Sequence, residues 1–412
     1  MADAAYDLLI AGAGPAGGQL ARRLAGRGLR VLLADRVPRF EANAFSSAGT
    51  LQECLDRYAL PADLIGSRWR HLEAESNSER GRWEGVTSAG AVLDFGKLRR
   101  HLAEDAAKGG VELALGLQAS AIHPTPGGMK VQFLRGGKPI QISARIVVDA
   151  TGPSRTLMRK LAPPAPAYLM GTGLELLVEV PLEAWERYRE TLAFFLGSRW
   201  IPRGYSWIFP MQPGLLKVGA GRYTAGAGPA RASLQDRINL LLKEVVRQPS
   251  AKVVEAHGGT LKYARRLKDP YTAGAVIGIG DAVSTLNVLG GEGIRHAMDG
   301  AEIALPFILR ELESPGRGFP GYAEAMRRQF KRTWDWSEDL AVRRYLQDSD
   351  DRLDSMIRFL RTRQLEFVVD VLFHYNFPRA ARAAGPAYLW SKLRRAGLKL
   401  GALIGPAEEN FG

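Results

Sequence analysis

The spacing of apolar and polar positions changes several times along the chain, and each change marks an element. A short apolar run from Leu8 to Ala11 gives way to glycines, then to a helical pattern through Leu20 and Leu24, then to a second run from Val31 to Leu33. Unbroken runs of this length suit strands buried on both faces, so the unit reads as strand, tight turn, helix, strand. The stretch "KLRRHLAEDAAKGGVEL" carries a helical period, "MKVQFL" and "ARIVVDATG" read as strands, and a helical insertion is expected around "SAGTLQECLDRYALPADLIG". From about Tyr168 to His257 the pattern turns to β, with "MGTGLELLVEV", "LAFFLG", "GYSWIFP" and "LLKVGAGRY" as candidate strands. In "GYSWIFP" the rings of Tyr205, Trp207 and Phe209 alternate, which on a strand sets all three on one face. Residues 273–304 return to an apolar strand, a glycine-rich loop and a helix beginning near Ile294, and the pattern stays helical beyond it.

The predicted fold class is α/β. A Rossmann-like dinucleotide-binding domain spans residues 1–165 and 258–310, a mixed β-sheet domain of residues 166–257 is inserted into it, and residues 311–412 form a helical C-terminal region.

The first glycines carry chemistry. Gly12, Gly14 and Gly17 stand in G-x-G-x-x-G order, with Ala16 among them, between a strand and a helix. Gly12 permits the turn, Gly14 lets a pyrophosphate approach the backbone, and Gly17 lets the helix pack closely on the sheet. The phosphates then meet free N–H groups at the positive end of the helix. Asp35, at the end of the second strand, is placed to accept from ribose hydroxyls, with Arg36 beside it at the solvent edge. The fingerprint by itself does not distinguish FAD from NAD.

The later stretch "AGAVIGIGDAVSTLNVLGGEGIRHAMDGAEIA" resembles the flavoproteins typified by para-hydroxybenzoate hydroxylase. The resemblance implies FAD, with Gly280 and Asp281 holding its ribityl and pyrophosphate portion. It also implies that the helix opened by Gly291, Gly293 and Ile294 points its N-terminus at the flavin ring, where it stabilises negative charge. The G-Y-x-W-x-F-P run, the G-E-G at Gly291 and the long helical C-terminal region are similar to the geranylgeranyl reductase family. That resemblance implies reduction of prenyl double bonds by hydride from reduced flavin, with Tyr205, Trp207 and Phe209 as one wall of the substrate cavity. Strand aromatics of this kind also fill ordinary cores, and the residues alone leave both readings open. Three positions depart from the family pattern. "FSSAGTL" stands where a Cys-Gly pair is usual, Phe95 stands where an arginine is common, and "VVDATGPSR", with Asp149, Thr151 and Gly152, replaces an A-D-G.

Composition adds boundary conditions. The 412 residues are 46% hydrophobic and 24% charged, enough for a sizeable core, and the single cysteine, Cys54, reads as a buried small residue. No His/Cys cluster has metal-ligand spacing, and the N-terminus lacks the basic region of a secretory signal, so a cytoplasmic location is expected. The net charge of +13 favours an anionic partner. No nucleic-acid module is recognisable, which leaves an acidic electron carrier or an anionic lipid surface. The stretch "FPRAARAAGPAYLWSKLRRAGLKLGALIG" carries six basic residues and no acidic one, interleaved with Tyr388, Leu389 and Trp390. It suits either a peripheral contact with the inner face of the membrane or a solvated face of a packed helix. Only one dinucleotide fingerprint is present, so electrons are expected from transiently bound NAD(P)H or reduced ferredoxin. The alternatives on the same scaffold are a monooxygenase or halogenase that uses oxygen, and an isoprenoid cyclase that consumes no electrons.

Overall fold

The computed structural model describes residues 5–42, 44–162, 165–224 and 232–385. Most of the basic C-terminal stretch singled out above, including Tyr388, Trp390, Lys392, Arg394, Arg395 and Lys399, lies outside the described residues.

The first sheet is built on the parallel strands Glu112–Leu115, Val31–Asp35, Tyr6–Ala11, Lys138–Asp149 and Val276–Gly278, in that spatial order, with Thr272–Ala273 antiparallel at the far edge. Its central strand is buried on both faces, as the unbroken apolar run requires. Leu8 and Ile10 join a cluster with Leu20, Ala103 and Ala301 from the helices Pro15–Leu24, Phe95–Lys108 and Ile294–Glu313. Leu9 and Ala11 join Val131, Phe133 and Val147 on the opposite side, where the hairpin Gln118–Thr125 and Gly128–Arg135 extends from the sheet. The helix that follows the glycine turn has Pro15 at its first position, where the absent N–H costs nothing.

The second sheet has seven strands in the order Lys252–Ala264, Tyr168–Glu179, Leu215–Tyr223, Ile201–Pro210, Thr191–Gly197, His71–Glu75 and Arg80–Glu84. The last two come from inside the stretch expected to belong to the dinucleotide unit; His71–Glu75 adds in parallel to Thr191–Gly197. One face buries Leu216, Val218, Ala220 and Ile208 against Ile238 and Leu241 of the helix Leu234–Leu241. The other face looks towards the first sheet.

The expected helical insertion is helical at its centre and strand at its ends: Gln52–Arg57 and a short turn at Ala62–Leu64 are helical, while Gly49–Leu51 and Ile65–Trp69 pair on either side of Gly90–Leu93 in a small antiparallel sheet. The apolar positions there satisfy a non-local pairing that a local period cannot register. Beyond the third large helix, Tyr322–Ala341, Asp350–Arg361 and Leu365–Leu372 complete a helical region. Among the described residues no helix is long and apolar enough to cross a membrane.

Candidate active site

Between the two sheets lies a cavity of about 1240 Å³. Its first wall is the glycine turn. Gly12 has φ +117°, and a Cβ there would sit 2.1 Å from the Ala150 carbonyl oxygen, so only glycine serves. A Cβ on Gly17 would lie 1.9 Å from the Gly12 carbonyl oxygen, so Gly17 permits the close crossing of helix and turn and does not itself line the cavity. Gly14, the residue before the helix, faces open space and lines the cavity together with Ala16. Asp35 also lines it, and its carboxylate accepts from the backbone N–H of Ala13 at 2.7 Å and of Val37 at 3.0 Å. It therefore braces the turn as well as facing the cavity; Arg36 lines the same end from an exposed position.

The arginine missing at Phe95 reappears one helical turn later. Arg99, nearly buried, places its guanidinium 3.4 Å from Asp35 and also lines the cavity. Residues four apart share a helix face, so the spacing within "FGKLR" holds the signal that the position-by-position comparison passed over. Burial lowers the Arg99 pKa, and Asp35 opposes the shift.

Gly280, with φ +61°, turns the chain so that Asp281 faces the cavity. Asp281 Oδ1 is buried without a hydrogen-bond partner, and burial raises its pKa. Gly291, with φ +67°, and Gly293 then open the helix that begins at Ile294, and all three line the cavity. Its first turn is held from behind. Glu292 accepts from Arg295 Nε at 2.9 Å and from the Tyr375 hydroxyl at 2.7 Å, with His296 Nε2 at 3.3 Å. Burial pushes the Glu292 carboxyl up, but His296 and Arg295 outweigh burial and hold it well below its usual range. These features fit a dinucleotide: a cradle that a Cβ would fill, an unpartnered buried carboxylate oxygen, and two helix N-termini facing one space.

The aromatic strand supplies the opposite wall. Tyr205 and Trp207 line the cavity with their ring centroids 5.7 Å apart. The Tyr205 hydroxyl donates to the Gly290 carbonyl at 2.7 Å, which ties this wall to the helix-opening loop. Phe209 shares their face but not their role. It packs on Phe194, with centroids 5.3 Å apart, and shares with Trp207 the buried cluster of Leu51, Trp69 and Leu192, but unlike Tyr205 and Trp207 it does not line the cavity. The small sheet at Gly49–Leu51 covers that end of the strand, since Gly49 approaches the Phe209 ring.

The floor is nearly bare backbone. Tyr205 pairs with Gly221, Gly221 with Gly173, and Gly173 with Gly259 across four neighbouring strands. Trp207 pairs with Gly219 in the next row, and its indole lies where a Cβ of Gly219 would be, 2.2 Å from the nearest ring carbon. Phe45, a lining residue that the sequence did not single out, lies across Gly173 and Gly259 in the same way, with would-be Cβ contacts of 2.6 and 2.4 Å.

Next to this floor, on the same face of the sheet, is a buried polar chain. Trp207 Nε1 donates to Glu175 Oε2 at 2.9 Å, and Lys217 Nζ stands 3.9 Å from Glu175 Oε1. Lys217 also donates to the carbonyls of Ser46 at 2.8 Å, Ser47 at 3.3 Å and Leu93 at 3.3 Å. Burial lowers its pKa and Glu175 resists that shift. Ser46 and Ser47, which stand where the family's Cys-Gly pair was sought, line the cavity. Cys54 is fully buried among Leu55, Leu98 and Met298, and burial pushes its thiol up to about 11.

The digeranylgeranylglycerophospholipid reductase of Methanosarcina acetivorans is 26% identical over 373 residues, covering 88% of this chain and 90% of that protein. The enzyme of the same name from Haloferax volcanii is 27% identical over 328 residues, 76% of this chain and 78% of its own. Among solved structures, a geranylgeranyl bacteriochlorophyll reductase-like protein from Thermoplasma acidophilum superposes with a TM-score of 0.76 at 22% identity, covering 87% of this chain and 92% of that one. A flavin-dependent brominase shares the fold at a TM-score of 0.63 and 16% identity, over 96% of this chain and 99% of its own. These relatives support the geranylgeranyl reductase resemblance drawn from "GYSWIFP" and the Gly291 loop. The family model described as Lycopene cyclase protein matches residues 7–315, and the chain belongs to that family.

Proposed function

We propose that the protein is an FAD-dependent oxidoreductase that reduces carbon–carbon double bonds of a geranylgeranyl-type prenyl chain carried on a lipid, quinone or pigment precursor. One observation carries the reading: Tyr205 and Trp207 line the same cavity as the glycine turns and helix N-termini suited to a dinucleotide. When bound and reduced, the cofactor supplies a hydride equivalent. An isolated trisubstituted alkene accepts hydride only as protonation builds positive charge on its more substituted carbon. The faces of Tyr205 and Trp207 stabilise such charge, by about 0.5–2 kcal/mol per contact, without the nucleophilic oxygen that would trap it. They also bind the apolar chain and exclude water. Burial pushes the Tyr205 phenol up to about 12, so it keeps its proton at neutral pH and uses it to hold the Gly290 carbonyl. The bare floor leaves room for a chain of methyl-branched units between rings and backbone.

Electrons reach the site from NAD(P)H or from a small acidic carrier protein drawn to the net charge of +13. The same charge suits work at an anionic membrane surface, where a prenyl lipid resides. The family description favours one second reading, an isoprenoid cyclisation without net electron consumption. Anaerobic incubation of the dithionite-reduced, FAD-loaded protein with a geranylgeranyl-bearing lipid separates them. A product ladder heavier by H2 per step is expected. An isomeric product of unchanged mass supports the cyclase, and unchanged lipid with rapid flavin reoxidation by air supports an oxygen-using enzyme instead.

A further inference from the structure

The loop that opens the cavity-facing helix at Ile294 is held by its carbonyl oxygens. Leu286 accepts from Trp334 Nε1 at 3.0 Å, Val288 from the Tyr223 hydroxyl, Leu289 from the Tyr345 hydroxyl at 2.8 Å and Gly290 from the Tyr205 hydroxyl at 2.7 Å. The carbonyl between them, of Asn287, accepts from the Gly291 N–H at 2.9 Å. The Asn287 side chain accepts in turn from the Leu289 N–H at 3.0 Å and donates to Ser337 Oγ at 2.8 Å. A buried phenol needs one acceptor, and any carbonyl serves. Four aromatic donors gathered on four of five successive carbonyls go beyond that need. A loop ending in Gly290 and Gly291 offers few side chains to grip, and glycine leaves the backbone free to turn, so the carbonyls are the handles by which it is fixed.

The donors come from two sides. Tyr205 and Tyr223 stand on neighbouring strands of the second sheet and line the cavity, whereas Trp334, on the helix Tyr322–Ala341, and Tyr345, on the helical turn Val342–Gln347 that continues it, do not. The Tyr345 ring lies against both strand tyrosines, with centroids 6.2 Å from Tyr205 and 5.6 Å from Tyr223. The Tyr205 hydroxyl also stands 2.7 Å from where a Cβ of Gly291 would be. Burial raises the pKa of all three phenols, so each keeps at neutral pH the proton it donates. The wall assigned to the prenyl chain and the turn that aims a helix N-terminus into the cavity are therefore one hydrogen-bonded unit.

We infer that Tyr205, Tyr223, Tyr345 and Trp334 are positioning residues that fasten the flavin-facing loop to the substrate wall, so that a chain bound against Tyr205 and Tyr223 favours the reduced state of the flavin. A chain in contact with those rings restricts them and, through their hydroxyls, the loop. The negative charge of a reduced flavin gains most from a helix N-terminus held in place. Ordering that one ligand requires is then already met by the other, and the coupling acts equally in both directions. The inference rests on the FAD-dependent prenyl-reductase reading and adds communication between its two sites.

Tyr345→Phe tests it, because the change removes one hydroxyl from a residue outside the cavity lining. The probe is the fully saturated analogue of geranylgeraniol, which suits a prenyl site and cannot be reduced. In the FAD-loaded wild type this alcohol is expected to bind the reduced protein about 10-fold more tightly than the oxidised, the scale of one net hydrogen bond, and so to raise the two-electron potential by about 30 mV. In Tyr345→Phe its affinity for the oxidised protein should stay within about twofold, while the shift in potential falls below about 10 mV. Tyr223→Phe should narrow the shift likewise. In the flavin-free protein, amide hydrogen exchange of residues 286–293 should quicken by about 5-fold or more in Tyr345→Phe, with the central strand Tyr6–Ala11 unchanged. A full shift in Tyr345→Phe overturns the coupling, and so does exchange that is unaltered in the loop or faster throughout the protein. An alcohol that binds both redox states of wild type equally sinks the coupling and leaves the reductase reading standing. One that binds neither state sinks the reductase reading with it.

Discussion

Lys217→Met tests whether the buried polar chain beside the cavity holds the site together. Methionine preserves the length and apolar body of the side chain, so the change removes charge and donors without opening a large void. Three carbonyls, of Ser46, Ser47 and Leu93, lose their donor, and Glu175 becomes a buried carboxylate without its cation. Removing one partner of a buried pair costs about 3–5 kcal/mol. For the pair itself, a separation of 3.9 Å at an effective dielectric near 20 gives about 4 kcal/mol of attraction before desolvation is subtracted. Glu175→Gln keeps an acceptor for Trp207 Nε1 and removes only the charge, so it should cost about 2 kcal/mol. The double variant should cost little more than Lys217→Met alone, because the glutamine no longer brings an unpaired charge into the interior. The cycle should therefore show a coupling of roughly 1–3 kcal/mol. Urea unfolding of the FAD-loaded protein, followed by far-UV circular dichroism, reads the shifts in midpoint at constant slope. Strict additivity, or a loss below about 0.5 kcal/mol for Lys217→Met, would refute the claim that this lysine pins the 46–47 loop to the substrate sheet.

Three further outcomes are expected. Trp207→Ala should lower kcat/KM for a prenyl lipid by about 100-fold or more, with Trp207→Phe recovering most of it, and Gly219→Ala should reproduce part of the loss by displacing the indole; steady-state kinetics of the reduced enzyme checks all three. If Asp281 holds the cofactor as proposed, Asp281→Asn should weaken FAD by roughly 10- to 100-fold, read by flavin fluorescence on titration of the apo-protein, because its buried oxygen has no other hydrogen-bond partner. His296→Gln should destabilise most in mildly acidic solution. Burial opposes its charge, but Glu292 and Asp299 raise its pKa above 6.5, so its contribution is complete below 6.5 and fades as pH rises through the folded value. Glu292 is shifted the opposite way, and its own contribution is present above 4.5 and lost only as pH falls towards its depressed value. Chemical denaturation at a series of pH values should show the gap between wild type and variant narrowing from mildly acidic to alkaline solution; a pH-independent gap would argue against the ion pair.

Local features of the sequence transferred well. The Gly12 turn and the Gly280 and Gly291 turns are each dictated by a few adjacent residues, and a positive φ enforces them. Features that depend on register did not transfer. "GYSWIFP" fixes the face shared by Tyr205, Trp207 and Phe209, but which of those rings meets a cavity depends on the neighbour that covers the strand end. The small sheet at Gly49–Leu51 covers Phe209, which does not line the cavity. Arg99 is hard to read from the sequence for a related reason: a single position names one residue, while a helix face offers the same place to residue i+4. Lys217 and Glu175 lie on different strands and alternate with apolar residues, so nothing short of the pairing brings their charges together.

The glycines of the second sheet show how such a site becomes legible. Gly171 and Gly173, Gly219 and Gly221, and Gly259 each read alone as a weakness in a strand, costing conformational entropy and offering nothing to pack. Their spacing of two within "MGTG" and "VGAG" places each pair on one face, so two separate strand candidates are bare on one side and apolar on the other. A sheet face without side chains cannot close against a second layer by packing its own atoms. It must be covered by large groups from elsewhere, or stay open for a ligand. Here both happen: Trp207 and Phe45 cover Gly219, Gly173 and Gly259, and the remaining lane along Gly171 and Gly221 lines the cavity. The rings of "GYSWIFP" and the glycines of its neighbours are therefore one feature. An aromatic strand beside strands with glycines at alternate positions provides the flat slot, with ring faces along one side, that a long unsaturated chain requires.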